Sequence, residues 1–190
     1  VTPGALTAQE ALATAQLDWD VFKADTPVTT MVPMFGNTAM EEGSMEEIEF
    51  ADKFMTYRYH PKTKQANALG VVGSRYTPVQ NAEAFSFLNA VADESGAVFE
   101  TAGSLDNGRK VFMTMKMPEG MLIGGVDAID LYLIAWNTHD GSSSFNVLVT
   151  PIRVVCQNTL TMAIRKAKSA YTMRHTPGVN GKIQAARETL

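Results

Sequence analysis

The sequence predicts an α+β fold, a twisted antiparallel β-meander with helices packed on one face, and three observations predict it. Short apolar or aromatic runs, alternating in Val98–Ala102 and Val111–Met117, fill the middle of the chain. Turn-forming groups such as Asp106-Asn107-Gly108 separate those runs. Stretches with helical spacing stand before, between and after them.

Each element follows from local chemistry. Thr7 and Glu10 have capping-box spacing ahead of an Ala-rich stretch, which predicts a short helix over residues 8–16. From Thr26 to Ala51, Thr, Met, Gly and Pro33 mix with Glu41, Glu42, Glu46, Glu47 and Glu49 without a sustained period. A loop-rich excursion with a short edge strand or two is expected there. Phe54–His60 and Ala68–Val72, separated by Pro61, Lys62, Thr63 and Lys64, read as a hairpin. Thr77 and Pro78 read as a cap followed by proline at the first helical position, and Phe85, Leu88 and Val91 recur at helical spacing. This central helix is expected to end near Gly96.

Val98–Ala102 and Val111–Met117 flank the Asn-Gly turn, with Val111, Met113, Met115 and Met117 on one side and Phe112, Thr114 and Lys116 on the other. Ile129–Trp136 and Ser144–Ile152 are the third and fourth strands, joined through His139-Asp140-Gly141-Ser142. Asn158 or Thr159 caps a last helix in which Leu160, Ala163, Ile164 and Ala167 form the buried stripe and Arg165, Lys166 and Lys168 turn outward. A further helix begins near residue 178 and runs to Leu190. The expected organisation is one domain: an acidic, loop-rich part over residues 1–52, a sheet–helix core over about 53–170, and that last helix.

The longest apolar runs, such as Leu131–Trp136, are far too short to cross a bilayer, so no membrane partner is expected. No secretory leader is evident, and the single cysteine, Cys156, cannot form an internal disulfide; both features favour a reducing, intracellular compartment. Net charge is -4, unevenly spread: residues 1–52 hold Lys23 against ten acids, net -9, whereas the remainder is net +5. From Arg153 onward seven basic residues face Glu188 alone. Such a split fits an anionic partner for one part of the surface, or equally a solvated helix face with the acidic segment folded against it.

Catalytic patterns are weak. Cys156 with His139 and Asp140 could form a nucleophile, base and orienting acid, but a cysteine between Val155 and an apolar helix start is expected to be a buried, inert thiol. His60, His139 and His175 lie far apart without companion ligands, and Gly70, Gly73 and Ser74 do not complete a phosphate loop. No catalytic residue, metal or cofactor is therefore expected. The acidic residues Glu41 to Asp52 fit no calcium loop and read as a solvated loop, or as the contact surface of a protein-binding, anti-restriction type of module. Basic residues are more informative. Arg165, Lys166 and Lys168, with Arg153, Arg174, Arg75 and Lys110, could hold a phosphate backbone, while Tyr76, Tyr132 and Trp136 could stack bases if the sheet exposes them.

Longer motifs add a resemblance. Leu69–Asn81 (LGVVGSRYTPVQN), Glu100–Arg109 (ETAGSLDNGR), Asn137–Ser142 (NTHDGS) leading to Thr150–Leu160 (TPIRVVCQNTL), and Leu17–Val21 (LDWDV) together resemble a phage- and plasmid-encoded family labelled domain of unknown function nine-three-two. Its proteins are longer than this chain. The element order is in turn similar to single-strand annealing proteins of the Rad-fifty-two type. That likeness implies rings that bind single-stranded DNA and anneal complementary strands in homologous recombination, in the cytoplasm of a bacterial host. It matches Arg165 and Lys166 to the groove-lining pair and Arg75 to an upstream arginine.

Overall fold

A computed structural model describes residues 7–33, 45–123, 127–167, 170–177 and 181. The chain is α+β and its sheets are antiparallel. Helix α1, Ala8–Thr14, opens with the capping box: Thr7 Oγ1 accepts from the Glu10 amide and the Glu10 carboxylate accepts from the Thr7 amide. It ends earlier than its Ala-rich composition implies, because Gln16 takes a left-handed backbone at φ 56°. The Ala8 amide donates to Asn89 Oδ1 at 2.7 Å, tying α1 to a helix far along the chain.

Strands β1 (Phe22–Pro33), β2 (Met45–Tyr59) and β3 (Ala66–Gly73) form a three-stranded sheet in that order. The loop-rich excursion expected over residues 26–51 is thus corrected: its described parts are two long paired strands, while residues 34–44 lie outside the described residues. No amphipathic period betrays them, since Met45–Lys53 is exposed on both faces. Two opposed register shifts surround Pro27. Lys23 pairs with Thr56 but Pro27 with Phe54, so β1 carries the extra residues there; Val28 then pairs with Phe50, so β2 carries them next. Beyond these bulges β1 and β2 run on as a bare two-stranded ribbon, Val28–Pro33 against Met45–Phe50, whereas β3 pairs with β2 only over Lys53–Tyr59.

Segment 76–80, expected to start the central helix, is not helical, and Gln80 at its end is extended. The Gln80 side chain is clamped on both sides of Val21, accepting from its amide at 2.8 Å and donating to its carbonyl at 2.9 Å, and the Thr77 amide donates to the His175 carbonyl. Those bonds replace a helical first turn. Helix therefore begins at Asn81 and comes in two short pieces, α2 (Asn81–Phe85) and α3 (Leu88–Ser95), closing at Gly96 as expected.

The second sheet has five strands, in the order β10 (Ala170–Met173), β9 (Phe145–Thr150), β8 (Tyr132–Thr138), β5 (Lys110–Lys116), β4 (Val98–Leu105). The expected meander is its β4–β5–β8–β9 part, and β10 is an addition. A small hairpin, β6 (Met121–Ile123) and β7 (Asp127–Ile129), interrupts it between β5 and β8. Val111, Met113 and Met115 face one side as expected and join Leu133, Ala135, Phe145 and Val147 in a core covered by α1, α2 and α3. Phe112, Ile134, Trp136 and Leu148 face the other side, where helix α4 (Gln157–Lys166) lays Leu160 and Ala163 over them. Helices hence cover both faces, not one. The alternation of β5 and β8 is apolar on both sides, and each apolar face must be covered.

Helix α4 is capped by Cys156 rather than Asn158 or Thr159; Thr159 sits one turn in and its hydroxyl accepts from the Cys156 amide. Of the expected stripe, Leu160 and Ala163 are buried, Ala167 is half-buried, and Ile164 faces solvent. The helix expected from residue 178 lies outside the described residues, apart from residue 181.

Two glycines weld the sheets together. A side chain at Gly70 would collide with the Asp140 backbone at 2.5 Å, and beside it Thr56 Oγ1 donates to the His139 carbonyl at 2.5 Å. Gly108, in the turn between β4 and β5 at φ 95°, leaves room for the Arg58 guanidinium, which donates to the Asn107 carbonyl and lies 4.2 Å over the Trp19 ring. No described helix is long and apolar enough to cross a membrane.

Candidate functional site

The junction between the two sheets gathers the polar chemistry. β3 ends at Gly73 and the chain turns through Ser74 and Arg75 to Tyr76; β10 ends at Met173 and passes through Arg174 to His175. The Tyr76 and His175 rings stack at 4.9 Å with 7° between planes, and Tyr76 donates to the Thr138 carbonyl at 3.0 Å. Lys23 Nζ donates to the carbonyls of Ser74 and Tyr76 at 2.8 and 2.9 Å, which fixes the turn from the far side. Between the two segments opens a cleft of about 550 Å³ lined by Lys53, Arg75, Arg174, Tyr76 and Thr176, with Asp52 as its one acid. Lys53, Arg75 and Arg174 are all exposed. Three cations around one concavity make a place for an anion.

Arg75, Arg174 and Tyr76 thus come together although a hundred residues separate the ends of the group in the sequence. Lys53 belongs with them and sequence reasoning missed it, because a lone lysine within a strand carries no signal. Tyr76 is half-buried with one ring face taken by His175, so the expected open ring is corrected: that face is not free to stack a base.

Tyr132 and Trp136 are corrected outright. They are 7% and 5% exposed, on the sheet face that α4 covers, and Trp136 packs beneath that helix. Neither can stack a base. Arg165 and Lys166 occupy the last turn of α4 and are exposed, where cations also meet the negative end of the helix. Lys110 is half-buried at the start of β5, on the face that α4 covers. Arg153 is paired with Glu100 at 2.5 Å, which neutralises most of its pull on a distant anion. Lys168 lies outside the described residues.

Two histidines are buried in this region, and one of them, His175, lines the cleft. His139 is wholly buried, with Nε2 3.0 Å from Asn81 Oδ1 and its ring 5.4 Å from Trp19. Burial holds its pKa down at about 3, helped by His175 nearby and against the pull of Asp140. Burial likewise lowers His175 to about 4, against a raising contact with the Thr77 backbone. Both are neutral at physiological pH. Burial and the neighbouring Asp140 push the Tyr76 phenol well above its ordinary value.

Cys156 is exposed, which corrects the expectation of a buried thiol. Its place at the start of α4 rather than inside the stripe is the reason. Hydrogen bonding to the Thr159 side chain, then to backbone at the helix start, draws its pKa below the ordinary thiol value. His139 is committed to Asn81 inside the core, so the Cys156–His139–Asp140 arrangement is not assembled. Among the described residues no group of three or more His, Cys, Asp or Glu side chains is gathered to hold a metal ion.

A family model described as Domain of unknown function (DUF932) matches residues 68–190. This takes in the Leu69–Asn81, Glu100–Arg109 and Asn137–Leu160 motifs and leaves Leu17–Val21 outside. No curated protein and no solved structure matches the chain.

Proposed function

The chain belongs to the DUF932 family, a membership that names no activity, and we propose that it is a recombination-type protein that binds single-stranded DNA without sequence preference, anneals complementary strands and self-associates to do so. The observation that carries this reading is the convergence of Lys53, Arg75 and Arg174 on one cleft, with Arg165 and Lys166 exposed on α4. Guanidinium and ammonium groups on rigid backbone hold phosphates and leave bases free to pair, and pairing needs no acid, base, nucleophile, metal or nucleotide cofactor. A single cleft gives weak, salt-screened binding, so repeating it along an assembly converts modest contacts into avidity. A mobile-element origin and the bacterial cytoplasm belong to the same reading.

Fluorescence anisotropy with labelled oligo-dT, and annealing kinetics with complementary oligonucleotides, test it together. The wild-type chain at low salt is expected to bind and to accelerate annealing. Arg75→Glu with Arg174→Glu should weaken binding at least tenfold and flatten the salt dependence by roughly 0.7 in log–log slope for each phosphate that is no longer neutralised. No binding by the wild-type chain, or unchanged binding by the double variant, overturns the cleft as the DNA site.

A further inference from the structure

Nothing among the described residues packs on the distal ribbon, Val28–Pro33 with Met45–Phe50. Its register puts Val28, Val32, Ile48 and Phe50 on one face, and Ile48 and Phe50 are 41% and 48% exposed. A two-stranded ribbon alone in water is marginal, and its outer strands present unpaired amides and carbonyls. Along β2, residues 45–50 pair with β1 on one side only and Ala51 and Asp52 lie in the bulge, because β3 joins at Lys53. Glu46, Glu47, Glu49 and Asp52 lie on this stretch without a base among them.

The five-stranded sheet ends in two edges, β4 and β10. β4, Val98–Leu105, carries no cation, its one acid Glu100 is already paired with Arg153, and it runs into Asp106, so an acidic strand finds no partner charge along it. β10 is different. Arg165 and Lys166 precede it, Arg174 follows it, and Tyr171 on it is 45% exposed. Its four residues fit within the eight of the β2 edge. We propose that the β2 edge of the ribbon, Met45–Asp52, pairs with the β10 edge of a second copy of this chain. Backbone hydrogen bonds join the strands, and the ribbon's glutamates face Arg165, Lys166 and Arg174 of the neighbour. Different surfaces meet in this contact, so it repeats from copy to copy into a closed ring or an open filament. The inference rests on the self-association in the reading above and identifies the surfaces that make it.

Light scattering without DNA, on the full chain, tests it by charge exchange. The wild type is expected to be a multimer at low salt. E46K/E47K/E49K and R165E/K166E/R174E should each be monomeric, and an equal mixture of the two should recover the multimer, because each variant's ribbon then meets the opposite charge on the other. Circular dichroism checks that each variant is folded; where a triple variant is not, Glu47→Lys and Arg174→Glu carry the same mixing test. A monomeric wild type, variants as large as the wild type, or a mixture that stays monomeric overturns the pairing. Oligo-dT binding by E46K/E47K/E49K, whose cations are intact, separates the two ideas: a monomer that binds DNA leaves the DNA reading standing and concerns the interface alone.

Discussion

The five-stranded sheet and the β1–β2 ribbon are both antiparallel, and both are rich in Met, Val, Ile and Phe. In the first, Met113, Met115 and Ile134 are fully buried beneath helices on opposite faces. In the second, Met31, Met45, Ile48 and Phe50 are exposed, with no helix above them among the described residues. The same residue types are core in one place and uncovered surface in the other, and the difference lies in what the chain brings to cover them. Composition alone does not distinguish a strand that builds a domain from one that reaches out of it.

That contrast can be broken most sharply at Phe145, which contacts Phe85 and Phe87 in the body. Phe145→Ala should cost about 3–5 kcal/mol, read from urea or thermal unfolding. A loss under about 1 kcal/mol would mean that the body is packed no better than the ribbon.

The pH dependence of the body comes next. His139 and His175 have folded-state pKa values of about 3 and about 4, below the unfolded value near 6.5. The unfolded chain therefore binds protons first as the pH falls. Stability is full above about pH 6.5 and declines from there toward pH 4 and then 3, by about 2 kcal/mol per imidazole on going to pH 5. His175→Phe should remove about half of that decline. A flat stability between pH 7 and 5 would show that these rings are not desolvated in the fold.

Smaller effects sharpen the ribbon side. Ile48→Ala should change the stability of the monomeric chain by no more than about 0.5 kcal/mol, since no cavity forms where nothing packs. A larger cost would place the ribbon against the body. Smallest of all is Cys156: iodoacetamide should modify it in the native protein, followed by mass spectrometry, with no shift in melting temperature. A thiol that reacts only after unfolding would contradict its exposed place at the start of α4.

Legibility in the sequence follows the same division. Alternation across a turn located β4 and β5, short apolar runs joined by turn residues located β8 and β9, and the Asp106-Asn107-Gly108 turn was readable because Asn107 and Gly108 both adopt positive φ. The ribbon was not readable, for its residues face water on both sides and alternation vanishes. The second helical face was missed at Phe112 and Trp136, whose partners on α4 are settled only by tertiary packing. At the site, Arg75 and Arg174 could be named individually as cations. Their meeting with Lys53 depends on how the end of β3 abuts the end of β10, a contact between distant segments that no local pattern encodes.

One further consequence lies in the bond from the Ala8 amide to Asn89, which spans 81 positions. During synthesis the first helix emerges long before the partner that completes its burial. At bacterial or eukaryotic elongation rates of roughly 5–20 residues per second, that is a delay of about 4–16 seconds. Ala11 and Leu12, which end wholly enclosed, spend this interval with the other half of their core unmade. The meander, by contrast, closes strand upon strand as it leaves the ribosome. Helix α1 is accordingly expected to dock late, on a sheet already formed.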